Sequence, residues 1–259
     1  MLCNNQKEAK KVNLDRIIAV RTTKTVYRYG DTCIKAFGQE YSKEDVLGEA
    51  LNQARIERLG LNVPKILGVT AIEDQWAIVS EYISGKTLAQ LMQENPEKRD
   101  EYLELLVDIQ MEVHTKTCPL LPKLKDLLNR GISETELDAT VRYSLHASLE
   151  NMPRHVKVCH GDFVPSNIII AGDGAPYILD WSRASQGNAS ADAVRTYQLL
   201  WLSDGKETAE RYLEYFCEKS GTAMAYVHKW FPIIAAAQSV QGNAAERAFM
   251  LELIKSDRE

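Results

Sequence analysis

Cysteine is scarce and scattered in this chain. Cys3, Cys33, Cys118, Cys159 and Cys217 are odd in number and contain no CxxC pair. That pattern excludes a disulfide scaffold and a thiolate zinc site, and is expected of a reduced protein of the cytoplasm. Histidine offers no alternative metal set, because none of the five shows H-x3-H or H-E-x-x-H spacing. Long apolar runs are missing too. Residues 1–11 are polar and charged, and the longest apolar stretch, 230–240, is broken by Pro232 and Gln238. Neither a signal peptide nor a membrane partner is expected. No block of Lys and Arg occurs, which argues against nucleic acid as a partner. Repeats, low-complexity segments and long linkers are also lacking.

What is present is a chain of 259 residues, 45% apolar, enough for one large domain or two closely joined ones. Its net charge of -5 resides in the later part, where residues 91–259 hold 25 acidic and 18 basic side chains. Such an excess attracts a cationic small molecule at long range, although ordinary solvated helix faces give the same count.

Residues 17–37 alternate and are rich in Val, Ile, Tyr and Thr, with Tyr29-Gly30-Asp31-Thr32 as a turn signal. A hairpin with strands at 25–29 and 32–37 is predicted. Residues 42–59 have helical spacing behind Ser42 as N-cap, and two more strands are expected at 65–70 and 75–81. After Ser84-Gly85 the character changes to helix, at 88–93, 99–115, 134–150, 189–202, 207–219 and twice more before the C-terminus. One β insertion interrupts the helices, with strands at 156–159, 167–170 and 177–179 and a turn at Gly172-Asp173-Gly174. A sheet-rich first third followed by helices reads as an α+β fold of two unequal lobes, 1–83 and 84–259.

The strongest chemical signal is His160-Gly161-Asp162-Phe163-Val164-Pro165-Ser166-Asn167, followed by Asp180-Trp181. At average residue frequencies H-G-D-x4-N arises by chance about once in a thousand chains of this length. A short apolar strand leads into a tight loop holding Asp162 and Asn167, and a hairpin returns Asp180 to the same end. Phosphoryl transfer needs a carboxylate to orient the attacking hydroxyl and take its proton, with oxygen ligands for Mg²⁺. Asp162 suits the first role as catalytic residue; Asn167 and Asp180 suit the second as metal ligands. Asp or Asn alone in a loop is an ordinary turn former, and only the whole constellation carries the reading.

These residues resemble the catalytic and metal loops of the aminoglycoside phosphotransferase and choline kinase-like families, relatives of protein kinases. The stretch Gly187-Asn188-Ala189-Ser190-Ala191-Asp192 is similar to the segment after the family's Asp-Trp pair, and the likeness makes Asp192 a loop-holding residue. The resemblance implies a protein-kinase-like bilobal fold, with a small β-rich N-lobe that binds nucleotide and a larger helical C-lobe that carries the catalytic loop and substrate site. It also implies ATP as phosphoryl donor, with GTP as an alternative, and Mg²⁺. Lys35, in Cys33-Ile34-Lys35-Ala36-Phe37, stands at the V-A-I-K position, where it would hold the phosphates with Glu49 as its helical partner. Taken singly, these are an ordinary strand-edge lysine and surface glutamate. Backbone groups of Glu81 and Ile83, in Ile78-Val79-Ser80-Glu81-Tyr82-Ile83, would bind the adenine edge; an edge strand running into a turn is the plainer reading.

Two departures qualify the likeness. No G-x-G-x-x-G loop precedes Lys35, so 21–25, with Arg21 or Lys24, would have to cover the phosphates. Ser84-Gly85-Lys86-Thr87 is no P-loop, because Ser80 stands where the first glycine belongs. Against a protein kinase, Val164 stands two residues after Asp162, Trp-Ser follows Asp180, and no A-P-E segment follows. An ATP-binding scaffold without turnover is the third reading. His114 is expected to be a packed helix residue, Cys159 a buried strand end, and Trp201, Trp230 and Phe231 core. The acceptor is expected to be a hydroxylated small molecule, with aminoglycoside-, choline- and sugar-like compounds as the classes.

Overall fold

The computed structural model describes residues 16–20, 23–72 and 74–256. The chain divides into two compact units, Met1–Ala50 with Pro64–Ile83 and Leu51–Val63 with Ser84–Glu259.

In the first unit, strands β1 (Arg16–Val20), β2 (Lys24–Tyr29), β3 (Thr32–Phe37), β4 (Ile66–Ile72) and β5 (Gln75–Glu81) form an antiparallel sheet in the order β1-β2-β3-β5-β4. The strand period of two sends alternate side chains to opposite faces. Ile34, Ala36 and Ala77 cluster on one face. Phe37 and Ile78 lie on the other, packed against Val46 and Ala50 of helix α1 (Lys43–Ile56). Ser42 starts that helix as expected. Its hydroxyl accepts from Asp45 N at 3.1 Å while the Asp45 carboxylate accepts from Ser42 N at 2.9 Å.

The second unit opens with β6 (Gly85–Thr87) and α2 (Leu88–Glu94), joined by a reciprocal cap between Thr87 and Gln90. Helices α3 (Arg99–Thr115), α4 (Leu124–Ser133) and α5 (Ala139–Asn151) follow. The β insertion consists of β7 (Lys157–Cys159), β8 (Ile168–Ala171), β9 (Pro176–Ile178) and β10 (Ser185–Gly187). It forms a β6-β8-β9 sheet and a β10-β7 pair. Helices α6 (Ala189–Asp204), α7 (Lys206–Ser220), α8 (Met224–His228), α9 (Phe231–Gln238) and α10 (Ala244–Ser256) complete the unit. No helix among the described residues is long and apolar enough to cross a membrane. Burial of α6 is nearly complete between Ser190 and Leu200, which makes it the central helix of this core.

The sequence places one division, between 83 and 84. Packing transfers 51–63 to the second unit, because Ile56, Leu61 and Val63 join its core and Asn62 O accepts from Ile178 N at 2.9 Å. Helix α4 is absent from the sequence reading, and the helix expected at 134–150 begins at Ala139, behind the Asp138 cap. Lys123 caps α4 with no side-chain bond, and Gly131 weakens its helical signal. That glycine serves packing. A Cβ there would meet the Ala237 carbonyl oxygen at 2.6 Å, so only glycine lets α4 and α9 approach this closely.

Candidate active site

In the first unit, β-register explains which cations reach α1. Lys24 lies opposite Phe37 and Val26 opposite Lys35, so Lys24 and Lys35 share the helix-covered face. Glu49 on α1 is buried there and takes both. Lys35 Nζ donates to Glu49 Oε1 at 2.6 Å and Lys24 Nζ to Oε2 at 3.0 Å. The expected Lys35–Glu49 partnership is thus formed, and Lys24 is held by the same carboxylate. Arg21 and Thr22, part of the stretch expected to cover phosphates, lie outside the described residues. At the end of β5, Glu81 N donates to Lys65 O at 3.0 Å and Tyr82 N to Asp31 O at 2.9 Å. The Glu81 side chain accepts from Lys65 N at 3.2 Å. These bonds hold the segment from Glu81 to Ile83 by its backbone.

In the second unit, β7 delivers the chain into the His160–Asn167 loop. Gly161 has φ +79°, and a Cβ there would lie 2.9 Å from both Cβ and O of Arg183. Handedness and space together demand glycine. The loop then closes on itself: Asn167 Nδ2 donates to Asp162 O at 2.9 Å and to Asp162 Oδ2 at 3.2 Å. Leu179 N donates to Asn167 O at 2.8 Å, an extension of the β8–β9 ladder that sets Asp180 one residue beyond Asn167's own partner. Asp162, Asn167 and Asp180 are therefore brought together on one hydrogen-bonded frame. Asp180 is the only non-glycine residue at positive φ among the described residues, at +58°. Such a backbone is strained for a side-chain-bearing residue and is retained where surroundings over-determine it.

His160 stitches the two halves of this frame. Its Nδ1 accepts from Asp162 N at 3.2 Å and its Nε2 lies 2.9 Å from Leu179 O. A backbone N–H must donate and a carbonyl must accept, so the ring proton sits on Nε2. The ring is fully buried between Phe163 and Trp181, with centroids 5.5 and 4.5 Å away.

Asp192, on the first turn of α6, anchors the loop from below. Oδ1 accepts from Gly161 N at 2.7 Å, and Oδ2 from His160 N at 3.2 Å and Gln110 Nε2 at 3.2 Å. His114 Nε2 lies 2.9 Å from the same Oδ2. Burial pushes this carboxyl up, but the hydrogen bond and charge of His114 and the Gly161 N–H outweigh it and hold the group below the ordinary carboxylate value. His114 was expected to be a packed helix residue; its ring does pack edge-on against Phe216, and it also makes this polar contact. Cys159 is buried, and burial raises its thiol well above the ordinary value, which leaves no nucleophile there. Trp230 is buried and Trp201 packs on Tyr197 and Phe249, as core.

A family model for the phosphotransferase enzyme family matches residues 20–230. The chain belongs to that family.

No curated protein matches its sequence. Among solved structures, this phosphotransferase is similar to a choline/ethanolamine kinase family protein from Mesorhizobium loti, at 17% identity over 96% of this chain and 88% of that one, TM-score 0.62. It is also similar to the aminoglycoside phosphotransferase APH(4)-Ia, at 17% identity over 93% and 91%, TM-score 0.67. The choline kinase LicA from Streptococcus pneumoniae matches at 15% identity over 93% and 91%, TM-score 0.64. The shared fold is the protein-kinase-like one, with a β-rich N-terminal lobe and a helical C-terminal lobe.

The phosphotransferase's oxygen donors fit magnesium. Mg²⁺ takes hard oxygen ligands, commonly one or two from protein with the rest from phosphates and water. Asp180 carries a carboxylate, and Asn167, with its amide nitrogen turned to Asp162, has Oδ1 as the oxygen that could serve a metal. Among the described residues no cluster of three or more His, Cys, Asp or Glu side chains could hold a metal. The sequence reading missed Gln110 and the loop-anchoring role of His114. Their spacing of four on α3 puts both on one helix face, a signal masked by the apolar neighbours Leu106, Val107 and Met111.

Proposed function

We propose that this phosphotransferase moves the γ-phosphoryl group of ATP to a hydroxyl of a small molecule, with Mg²⁺. The observation that carries the reading is the Asn167 amide bridging two oxygens of Asp162, the main-chain O and Oδ2, while Asn167 O holds Leu179 beside Asp180. Such a frame pre-orients a base and two oxygen ligands before substrate arrives, which is what a reaction catalysed by positioning requires. Support comes from a neighbour of the same fold, a thermostable mutant of APH(4)-Ia in a ternary complex with AMP-PNP and hygromycin B.

In this mechanism Asp162 orients the acceptor hydroxyl. Its oxygen attacks the γ-phosphorus, the bond from that phosphorus to the β–γ bridging oxygen breaks, and the hydroxyl proton passes to Asp162. ADP and a phosphomonoester result. Asn167 and Asp180 would hold Mg²⁺, which would neutralise phosphate charge. Lys35, fixed by Glu49, would bind the α- and β-phosphates, and the carbonyl of Glu81 and N–H of Ile83 would take the adenine edge.

A coupled assay of ADP release over hydroxylated compounds, with Mg²⁺ and either ATP or GTP, tests the proposal. Turnover with at least one acceptor is expected; Asp162→Asn should lose about 10²-fold or more, and Asp180→Ala should show no turnover. Full turnover in Asp180→Ala would remove the metal assignment, and nucleotide binding without turnover on any acceptor would favour a scaffold.

A further inference from the structure

A cavity of about 240 Å³ lies in the second unit beside the catalytic loop. Gly161, next to Asp162, forms part of its wall, and three cations line it: Arg130 on α4, Arg183 just after Asp180, and Arg195 on α6. Arg195 is only 5% exposed. Its Nε has no hydrogen-bond partner, and it makes no ion pair among the described residues. Burial lowers its pKa to about 10; repulsion from Arg183 adds to that, while Asp162 and Glu246 oppose it, so it remains a cation at neutral pH. Arg183 is half-buried, and Nη1 meets only neutral acceptors, Gln238 Oε1 at 3.0 Å and Gln241 Oε1 at 2.7 Å.

The acidic side chains of the wall do not balance these cations. Asp192 already takes the N–H groups of His160 and Gly161 together with Gln110 and His114, and Glu134 is exposed at the rim. A buried cation with unused donors is costly in an apolar surround unless something pairs with it. What the cavity lacks is an anionic acceptor of hydrogen bonds.

We propose that this cavity is the acceptor site and selects a hydroxylated small molecule carrying a carboxylate or phosphate, bound by Arg195 and Arg183 with its hydroxyl toward Asp162. The inference rests on the phosphoryl-transfer reading above. It also reverses the preference for a cationic acceptor drawn from the acidic excess of residues 91–259. A few charges at contact distance outweigh many spread over a solvated, salt-screened surface.

The experiment compares glycerate and glycerol phosphate with glycerol and choline, by ADP release and, without nucleotide, by thermal protection of the wild-type chain. Arg195→Met and Arg195→Lys are run beside it. The two anions are expected to protect the chain and to be preferred in kcat/KM by about a hundredfold over glycerol. Arg195→Met should lose that protection and raise their KM at least about tenfold, with Arg195→Lys intermediate and neither variant lower in Tm. A Tm drop in Arg195→Met with anion KM unchanged assigns Arg195 a structural role and overturns the proposal. So does turnover of glycerol or choline with no effect of the anions, an outcome that spares phosphoryl transfer. Anion protection lost in Arg195→Met, but no turnover of any acceptor, keeps the site and removes the reaction. Should Arg195→Met fail to fold, the wild-type comparison of the four compounds decides alone.

Discussion

His114 and Asp192 lie 78 positions apart in the chain and meet at 2.9 Å, so that helix α3 sets the His160–Asn167 loop through one buried carboxylate. The same carboxylate holds the N–H groups of His160 and Gly161, the two residues before Asp162. Asp192→Ala strands those donors and the His114 ring, and should destabilise the fold by about 3–5 kcal/mol. His114→Ala removes one of several contacts and should cost about 1–3 kcal/mol. Urea unfolding measures both, and equal losses would show that His114 carries the whole anchor.

Acid should expose the same carboxylate. Its folded value lies below the ordinary one, so its stabilisation is complete above the unfolded pKa of about 3.9 and disappears as pH falls through the folded value. The stability gap between wild type and Asp192→Asn should therefore be constant near neutrality and shrink below about pH 4. Unfolding curves at a series of pH values read this directly, and a gap that persists at the acid end would contradict it.

Glu49 serves two lysines, which predicts an asymmetric mutant series. Glu49→Gln leaves Lys24 and Lys35 with no shared carboxylate in a site where their side chains are only 13% and 17% exposed. Lys35→Ala should raise the KM for ATP by about 10–100-fold, and Glu49→Gln by less. Lys24→Ala should change it least, because Lys35 keeps its own oxygen, Oε1. Initial rates against ATP concentration give the order.

Gly161→Ala combines left-handed backbone strain with a 2.9 Å contact to Arg183. A loss of about 1–2 kcal/mol from conformation alone is expected. Turnover should fall at least about tenfold as the loop shifts. Gly172→Ala, in the β8–β9 turn with nothing within 4 Å of its Cβ, is the control and should be near neutral.

The α+β fold class and the turn of the His160–Asn167 loop were legible because they are local. Alternation in 25–37 encodes a hairpin, and H-G-D-x4-N folds Asp162 and Asn167 into one turn whose bonds span five residues. Helix α4 was not legible, since its glycine is explained only by Ala237, more than a hundred residues away. Nor was Lys24 as a second partner of Glu49, which required knowing that β2 and β3 pair in a register that puts both lysines on one face.

By itself the sequence determined the α+β character, most of the strands and helices, and the turn that joins Asp162 to Asn167, because turn propensity, periodicity and short spacing act through neighbouring residues. Only the tertiary structure decided that Asp192 is held from α3 and that Arg195, without an ion pair among the described residues, lines a cavity with Arg130 and Arg183. Burial and long-range pairing fix the cost of a charge, and neither is a property of residues adjacent in the chain.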